Sequence, residues 1–268
     1  MHCAVIGDPV THSLSPAIHH AGYRINGLDW TYEAIAVPPG KLAEFVTSLP
    51  DAGRWAGLSV TAPHKQELLR FGEPDPVARM VQGGNTFLAG DEPRVYNTDV
   101  PGFVRAWRNR GLDRVRTAVI VGNGATARSL LVALSGLALQ EVTVLARDPA
   151  RAAALRELGV ALCIDVAVQP MDSPVRDVDL LASTVPASAT QAWADAWAGR
   201  AEVLFDAVYD PWPTPIAKAA APEQPVITGL ELLAGQAVDQ FRLLTGCELT
   251  FQEALSAATD ELEARRRT

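Results

Sequence analysis

The sequence predicts an α/β protein built as two domains, and three observations carry that prediction. Strand-like and helix-like segments alternate along the chain, the pattern of sheets covered by helices. A glycine turn, Gly122-Asn123-Gly124, separates an apolar strand from a helix rich in Ala and Leu in the second half. Of 268 residues, 48% are hydrophobic and 20% charged, which suffices for an apolar core in each of two domains.

The first half opens on the apolar run Cys3 to Ile6, followed by a helix announced by Ser15-Pro16 and a strand from Trp30 to Val37. A helix near Lys41 to Leu49, the strand Trp55 to Thr61 and a helix starting at Pro63 come next. Short strands around Asn85 to Leu88 and Arg94 to Tyr96 complete a small α/β unit, and the helix Gly102 to Arg110 leads out of it. The later strands, Ala118 to Val121, Val142 to Leu145, Leu180-Leu181 and Val203 to Val208, are continuously apolar, as parallel strands buried on both faces are. With the helix Ala125 to Leu137, residues Thr117 to Arg147 have the length and order of a βαβ crossover. After Gly229, Leu230, Leu233, Ala237, Phe241 and Leu244 recur at spacings of three and four, a helical stripe.

Charge and cysteine usage narrow the function classes. A net charge of -8 offers nothing to attract a nucleic acid or an anionic membrane, and Arg265-Arg266-Arg267 reads as a cationic helix end. Cys3, Cys163 and Cys247 lack both disulfide-framework and metal-ligand spacing, so no metal is expected. A strand-like start without a basic leader, no stretch of transmembrane length and unpaired cysteines together lead us to expect a cytoplasmic protein acting on a small molecule, as a monomer or a homodimer.

The turn Gly122-Asn123-Gly124-Ala125-Thr126-Ala127 matches Gly-x-Gly-x-x-Ala. Gly122 permits the tight turn, Gly124 lets backbone approach a pyrophosphate at a helix N-terminus, and Ala127 allows close helix packing. At the tip of the next strand, where an NAD site normally carries an acid, stand Ala146-Arg147-Asp148, with Arg151 a turn later. Two guanidinium groups suit a 2′-phosphate, so NADP is the favoured cofactor. Asp148 either opposes that phosphate or caps the segment opened by Pro149.

For acid/base chemistry the histidines His2, His12, His19, His20 and His64 are available, but Lys65 has the better setting. In Ser59-Val60-Thr61-Ala62-Pro63-His64-Lys65 it falls in the first turn of the expected helix, where the dipole favours the neutral amine; the alternative is a solvated lysine. Asp99, in Asn97-Thr98-Asp99-Val100-Pro101-Gly102, either caps the linking helix or accepts from a substrate hydroxyl. Ser13 and Ser15, ahead of Pro16, either cap a helix or bind a carboxylate.

Taken together these segments resemble the shikimate dehydrogenase family along nearly the whole chain: Ser13 to Pro16, Val60 to Lys65, Asn97 to Gly102, Asn85-Thr86, Asp206 to Pro211 with Thr214-Pro215, and Gln236-Ala237. The resemblance implies an N-terminal substrate domain over residues 1–101, completed by about 238–268, and a Rossmann-type NADP domain over 102–237. It implies reduction of 3-dehydroshikimate to shikimate with NADPH, on the route to chorismate and the aromatic amino acids, with Lys65 and Asp99 as the catalytic pair. Ser13, Ser15 and Tyr209 would hold the substrate carboxylate, while Ser59, Thr61, Asn85, Asp99 and Gln236 would address ring oxygens. Thr184, Ala207 and Gly229 would join Gly122 to Thr126, Ala146, Arg147 and Arg151 around the cofactor. The chain departs from the family pattern with Ser59 where many members carry Asn, His20 for Asn, Leu232 for Met, Ala146-Arg147-Asp148 for Asn-Arg-Thr, and Ala182-Ser183-Thr184 for Asn-Ala-Thr. An NAD-preferring quinate/shikimate or aminoshikimate dehydrogenase is the rival enzyme, and a non-catalytic dinucleotide sensor the rival of another class.

Overall fold

The computed structural model describes residues 1–49 and 54–267, and the chain divides into two compact units. Unit 1 comprises Met1–Gly102 with Leu233–Thr268, and unit 2 comprises Phe103–Leu232. The late helix is thus divided at Leu232/Leu233 rather than near 237/238, and Gln236 belongs to unit 1.

Unit 1 contains β1 (His2–Gly7), α1 (Ser15–Asn26), β2 (Thr31–Ala36), α2 (Leu42–Ser48), β3 (Trp55–Val60), β4 (Glu73–Pro74), α3 (Pro76–Val81), β5 (Thr86–Leu88) and β6 (Arg94–Tyr96). The helix α4 (Asp99–Asn109) carries the chain into unit 2. There follow β7 (Thr117–Val121), α5 (Ala125–Ser135), β8 (Glu141–Ala146), α6 (Ala153–Leu162), β9 (Asp165–Pro170), β10 (Val178–Ser183), α7 (Ala194–Ala198), β11 (Ala201–Asp206), α8 (Pro215–Ala219) and β12 (Val226–Thr228). Then α9 (Gly229–Thr245) returns the chain to unit 1, where α10 (Phe251–Arg267) ends it against α1.

The sheet of unit 1 runs β2-β1-β3-β5-β6-β4. Its first three strands are parallel, and β5 is antiparallel to both β3 and β6. The carboxyl ends of β1, β3 and β6 and the start of β5 therefore share one edge, which gathers the loops bearing Ser13, Thr61, Lys65, Asn85 and Asp99. Ile6, Leu58, Val60, Phe87 and Val95 line one buried face with Leu42, Leu68 and Ala78. Also in unit 1, His19 stacks on Tyr32 with centroids 4.1 Å apart, near Tyr23 and Phe241.

Burial pushes the His19 pKa down to about 3, with neither ring nitrogen within hydrogen-bonding distance of a partner and the nearby Gln240 side chain pulling it only part-way back. Above about pH 6.5 the histidine is neutral folded or unfolded. Below that, the unfolded chain takes up a proton that the folded chain refuses, so stability falls as the pH drops from about 6.5 to about 3, by at most about 1.4 kcal/mol per unit. With falling pH across this range, His19→Phe should lose less stability, measured by urea unfolding, than the parent protein, by about that slope; the same pH dependence in both proteins would locate its source elsewhere.

Unit 2 carries a wholly parallel sheet in the order β12-β11-β10-β7-β8-β9, the doubly wound order with its switch between β7 and β10. Val119, Val121, Leu145, Leu181 and Leu204 pack with Trp197 and Ile216. Residues of the opposite parity line the other face, where Phe103 meets Phe205 edge-on at 5.2 Å. The continuous apolar runs of the sequence follow from this two-sided burial. At the start of α9, Thr228 and Glu231 cap each other's backbone N–H groups, and Arg110 clamps the Glu231 carboxylate at 2.7 and 2.9 Å.

Two local expectations are corrected. No helix starts at Pro63: residues 62–66 are turns, and only Glu67–Arg70 wind into a 3-10 helix. The Lys65 carbonyl accepts from the Gly84 N–H at 2.8 Å instead of from its own helix, and the buried His64 ring meets the Val37 carbonyl at 2.7 Å. The dipole argument for Lys65 therefore lapses, and His64 is committed to the fold. Nor is Ser15 the cap of α1: Leu14 holds that position without a side-chain capping bond, and Ser15 is the buried first residue of the helix.

Candidate active site

Lys65 emerges from the turn after β3, and Asp99 is the first residue of α4, whose positive N-terminus favours a carboxylate. The two meet with Lys65 Nζ 2.5 Å from Asp99 Oδ2, both side chains largely buried. The other Asp99 oxygen, Oδ1, accepts from Asn85 Nδ2 at 3.0 Å. Capping is left to Asn97, whose Oδ1 accepts from the Val100 N–H at 3.2 Å. Asp99 is therefore free of the capping task and holds the lysine ammonium instead.

Asn85 is the hub of this group. Its Nδ2 also faces Thr98 Oγ1 and Gln236 Oε1, at 2.9 and 3.2 Å, while its Oδ1 accepts from the Thr98 N–H at 2.8 Å. Gln236 reaches Asn85 across 151 residues because α4 and α9 touch backbone to backbone. A Cβ on Gly102 would lie 2.6 Å from the Gln236 nitrogen, and one on Gly235 would lie 2.3 Å from the Gly102 oxygen. Only glycines permit this approach, which explains the last residue of the Asn97 to Gly102 segment. Ser13 stands beside this edge with its Oγ accepting from the Ser15 N–H at 3.3 Å.

Ser59 departs from its expected part. Its hydroxyl accepts from the Tyr32 O–H at 2.5 Å and donates to Gln240 Oε1 at 2.9 Å, so its proton is committed inside the protein. Thr61 is half-buried at the end of β3, its methyl filling the space a side chain on Gly7 would take. Tyr209 lies in the turn after β11 of unit 2.

The remaining expected residues line the carboxyl edge of the unit 2 sheet. Gly122 follows β7 at φ +110°, and a Cβ there would strike Thr184 Oγ1 at 2.4 Å; that hydroxyl is itself held by the Val121 carbonyl at 2.8 Å. A Cβ on Gly124 would meet nothing within 4 Å. Gly124 also occupies the N-cap of α5 with no side-chain capping bond, so the first-turn amides of Ala125 and Thr126 face open space. This cradle fits an anion such as a pyrophosphate. Around it stand Asn123, Ala146 at the end of β8, Ala207 after β11 and Gly229 after β12, where a Cβ would overlap the Ala207 oxygen at 2.2 Å.

Arg147 and Arg151 are exposed beside the β8 tip. Asp148 caps the turn Pro149–Ala152 by accepting from the Ala150 N–H at 3.1 Å, and pairs with Arg151 at 3.3 Å. Between the ends of β10 and β11, Ser183 Oγ and Asp206 Oδ2 are buried without a hydrogen-bond partner. Burial raises the Asp206 pKa to about 6, although the nearby Thr214 and Ser183 hydroxyls and the Val208 N–H pull it back part-way. Among the described residues no group of His, Cys, Asp and Glu side chains is arranged to hold a metal ion. Among the described residues no helix is long and apolar enough to cross a membrane.

Sequence reasoning missed Tyr32, Thr98 and Gln240. Gln240 alone carried a signal, since it lies four residues beyond Gln236 on one helix and so on the same face.

The family model of the shikimate dehydrogenase substrate-binding domain matches residues 5–87. The shikimate dehydrogenase (NADP(+)) of Methanosarcina mazei is 32% identical over 97% of this chain and 98% of its own. Among solved structures, the Mycobacterium tuberculosis shikimate dehydrogenase superposes with a TM-score of 0.88 at 34% identity, covering 97% of this chain and 99% of the other. The Thermus thermophilus shikimate 5-dehydrogenase, solved in complex with NADP(H) and shikimate, gives 0.82 at 29% identity over 97% and 99%.

Proposed function

The chain belongs to the shikimate dehydrogenase family, and we propose that its Lys65 and Asp99 carry the proton side of the reduction of 3-dehydroshikimate to shikimate. When bound, NADPH supplies the hydride to C3 of the ring. The observation that carries the assignment of residues is the 2.5 Å ion pair of two buried side chains on one edge of the unit 1 sheet. In the reducing direction the Lys65 ammonium gives a proton to the C3 oxygen as that oxygen gains charge, and Asp99 holds the ammonium in place. In the oxidising direction Lys65 takes the proton back. Thr61, Asn85, Asp99 and Gln236 orient the ring hydroxyls, and Ser13, Ser15 and Tyr209 bind the carboxylate.

The backbone of Gly122 to Thr126 holds the cofactor pyrophosphate, and Arg147 with Arg151 faces the 2′-phosphate. Asp148, spent on its cap and on Arg151, leaves Arg147 as the stronger phosphate ligand. Arg147→Ala should raise the KM for NADPH about tenfold or more, the loss of a charge-assisted hydrogen bond, and leave that for NADH nearly unchanged. Equal changes for both cofactors would undo the 2′-phosphate assignment. This reading places the enzyme in a reducing cytoplasm, in keeping with its three free cysteines. A spectrophotometric assay crossing shikimate and quinate with NADP and NAD tests the whole assignment; turnover of quinate with NAD at the higher rate would replace it with the rival enzyme.

A further inference from the structure

We propose that Gln240 is a positioning residue for this reaction, fixing Asn85 and through it the Asp99–Lys65 pair by a buried hydrogen-bond chain that starts at Tyr32. The inference rests on the reading that Asp99 and Lys65 act on the substrate.

The chain has a defined direction. The Tyr32 O–H donates to Ser59 Oγ at 2.5 Å, the Ser59 O–H donates to Gln240 Oε1 at 2.9 Å, and Gln240 Nε2 donates to the Asn85 main-chain oxygen at 2.9 Å. Its four residues are at most 3% exposed, so water replaces none of these bonds. The Asn85 oxygen also accepts from the Val60 N–H at 2.8 Å, which ties it to the end of β3. Asn85 precedes β5, and its N–H donates to the Tyr96 carbonyl at 2.9 Å; of the three bonds that set where its side chain starts, the one from Gln240 alone comes from a side chain. From there the amide meets Asp99, Thr98 and Gln236 together.

The buried line thus runs from Tyr32 on β2 through Ser59 on β3 to Asn85 ahead of β5. Helix α9 supplies both layers: Gln236 beside Asn85, and Gln240 one turn later beneath it. A Gln serves here because each amide end meets a group of fixed polarity, a donor hydroxyl on one side and an acceptor carbonyl on the other. Leu at this position would leave the Asn85 oxygen with one partner fewer and the Ser59 proton with none.

The test is a double-mutant cycle read in kcat. Gln240→Leu should lower kcat about tenfold at unchanged KM for NADPH, and Asn85→Ala should lower it at least as much. Gln240→Leu combined with Asn85→Ala should be little worse than Asn85→Ala alone, because one acts through the other. Multiplying effects, or a loss of thermal stability with kcat intact, would overturn the proposal and leave Gln240 as core. Should Gln240→Leu fail to fold, Tyr32→Phe and Ser59→Ala, each removing one hydroxyl from the far end, should give smaller kcat losses that also vanish in the Asn85→Ala background. Full activity of Asn85→Ala itself would instead refute the reading of the site on which the proposal stands.

Discussion

Replacing Lys65 by Ala should lower kcat by about a hundredfold or more, the scale of losing a positioned acid/base. The fold should survive, because Lys65 lies in a turn whose backbone is held independently by Gly84 and whose neighbour His64 is anchored on Val37. Asp99 keeps its bond from Asn85 and its place at the helix N-terminus, so its charge remains accommodated. Single-turnover kinetics with a circular dichroism melt beside them decide the point. Near-normal turnover would remove Lys65 from the mechanism, and a collapsed melt would show that the ion pair is structural.

The second large effect is expected from a single methyl group. Gly102→Ala places a Cβ 2.6 Å from the Gln236 nitrogen and 2.8 Å from its Cα, and backbone cannot yield as a flexible side-chain tip can. Forcing α4 and α9 apart should cost about 1 to 3 kcal/mol of stability. Displacing Gln236 from Asn85 should also raise the KM for shikimate about tenfold or more, since small misplacements of positioning groups are costly. Urea unfolding and steady-state kinetics on the same preparation measure both. Unchanged values for both would mean that the helices have slack that their contact distances deny.

Much of this was legible in the sequence, and where it was not the reasons are physical. The four central unit 2 strands, β7, β8, β10 and β11, announce themselves because both faces are buried, whereas the edge strands β9 and β12 were not read; the glycine turn stands out because a positive φ at Gly122 admits few other residues. In unit 1 the short strands β5 and β6 were read where they lie, but β4 and the mixed pairing were not, since strands of two or three residues carry no period. Pro63 read as a helix start, but the tertiary bonds from Gly84 and to Val37 override that local signal. Lys65 and Asp99 stood out only through the family resemblance; from local sequence a solvated lysine was the stronger reading of the first, and a helix cap an equally good reading of the second. The signal of Gln240, its place four residues beyond Gln236, is weak because a glutamine within a helical stripe looks like an ordinary polar neighbour until its two partners are known.

The protonation state of Asp206 has a bearing on acid behaviour as well. With a folded pKa raised from 3.8 to about 6, its contribution is favourable below about pH 3.8 and is lost as the pH climbs through 6, the reverse of His19. Unit 1 and unit 2 thus carry opposing acid responses, and the measured slope is their difference.

The committed proton of Ser59 constrains how this sequence can drift. An asparagine at 59 could accept from Tyr32 through its carbonyl and donate to Gln240 through its amide nitrogen, whereas an alanine there would leave the Tyr32 O–H without an acceptor and Gln240 Oε1 without its donor. Positions 32, 59 and 240 are therefore coupled through their hydrogen bonds: a change that removes the bridging group at 59 or the amide at 240 alone leaves a polar group without its partner in a dry core.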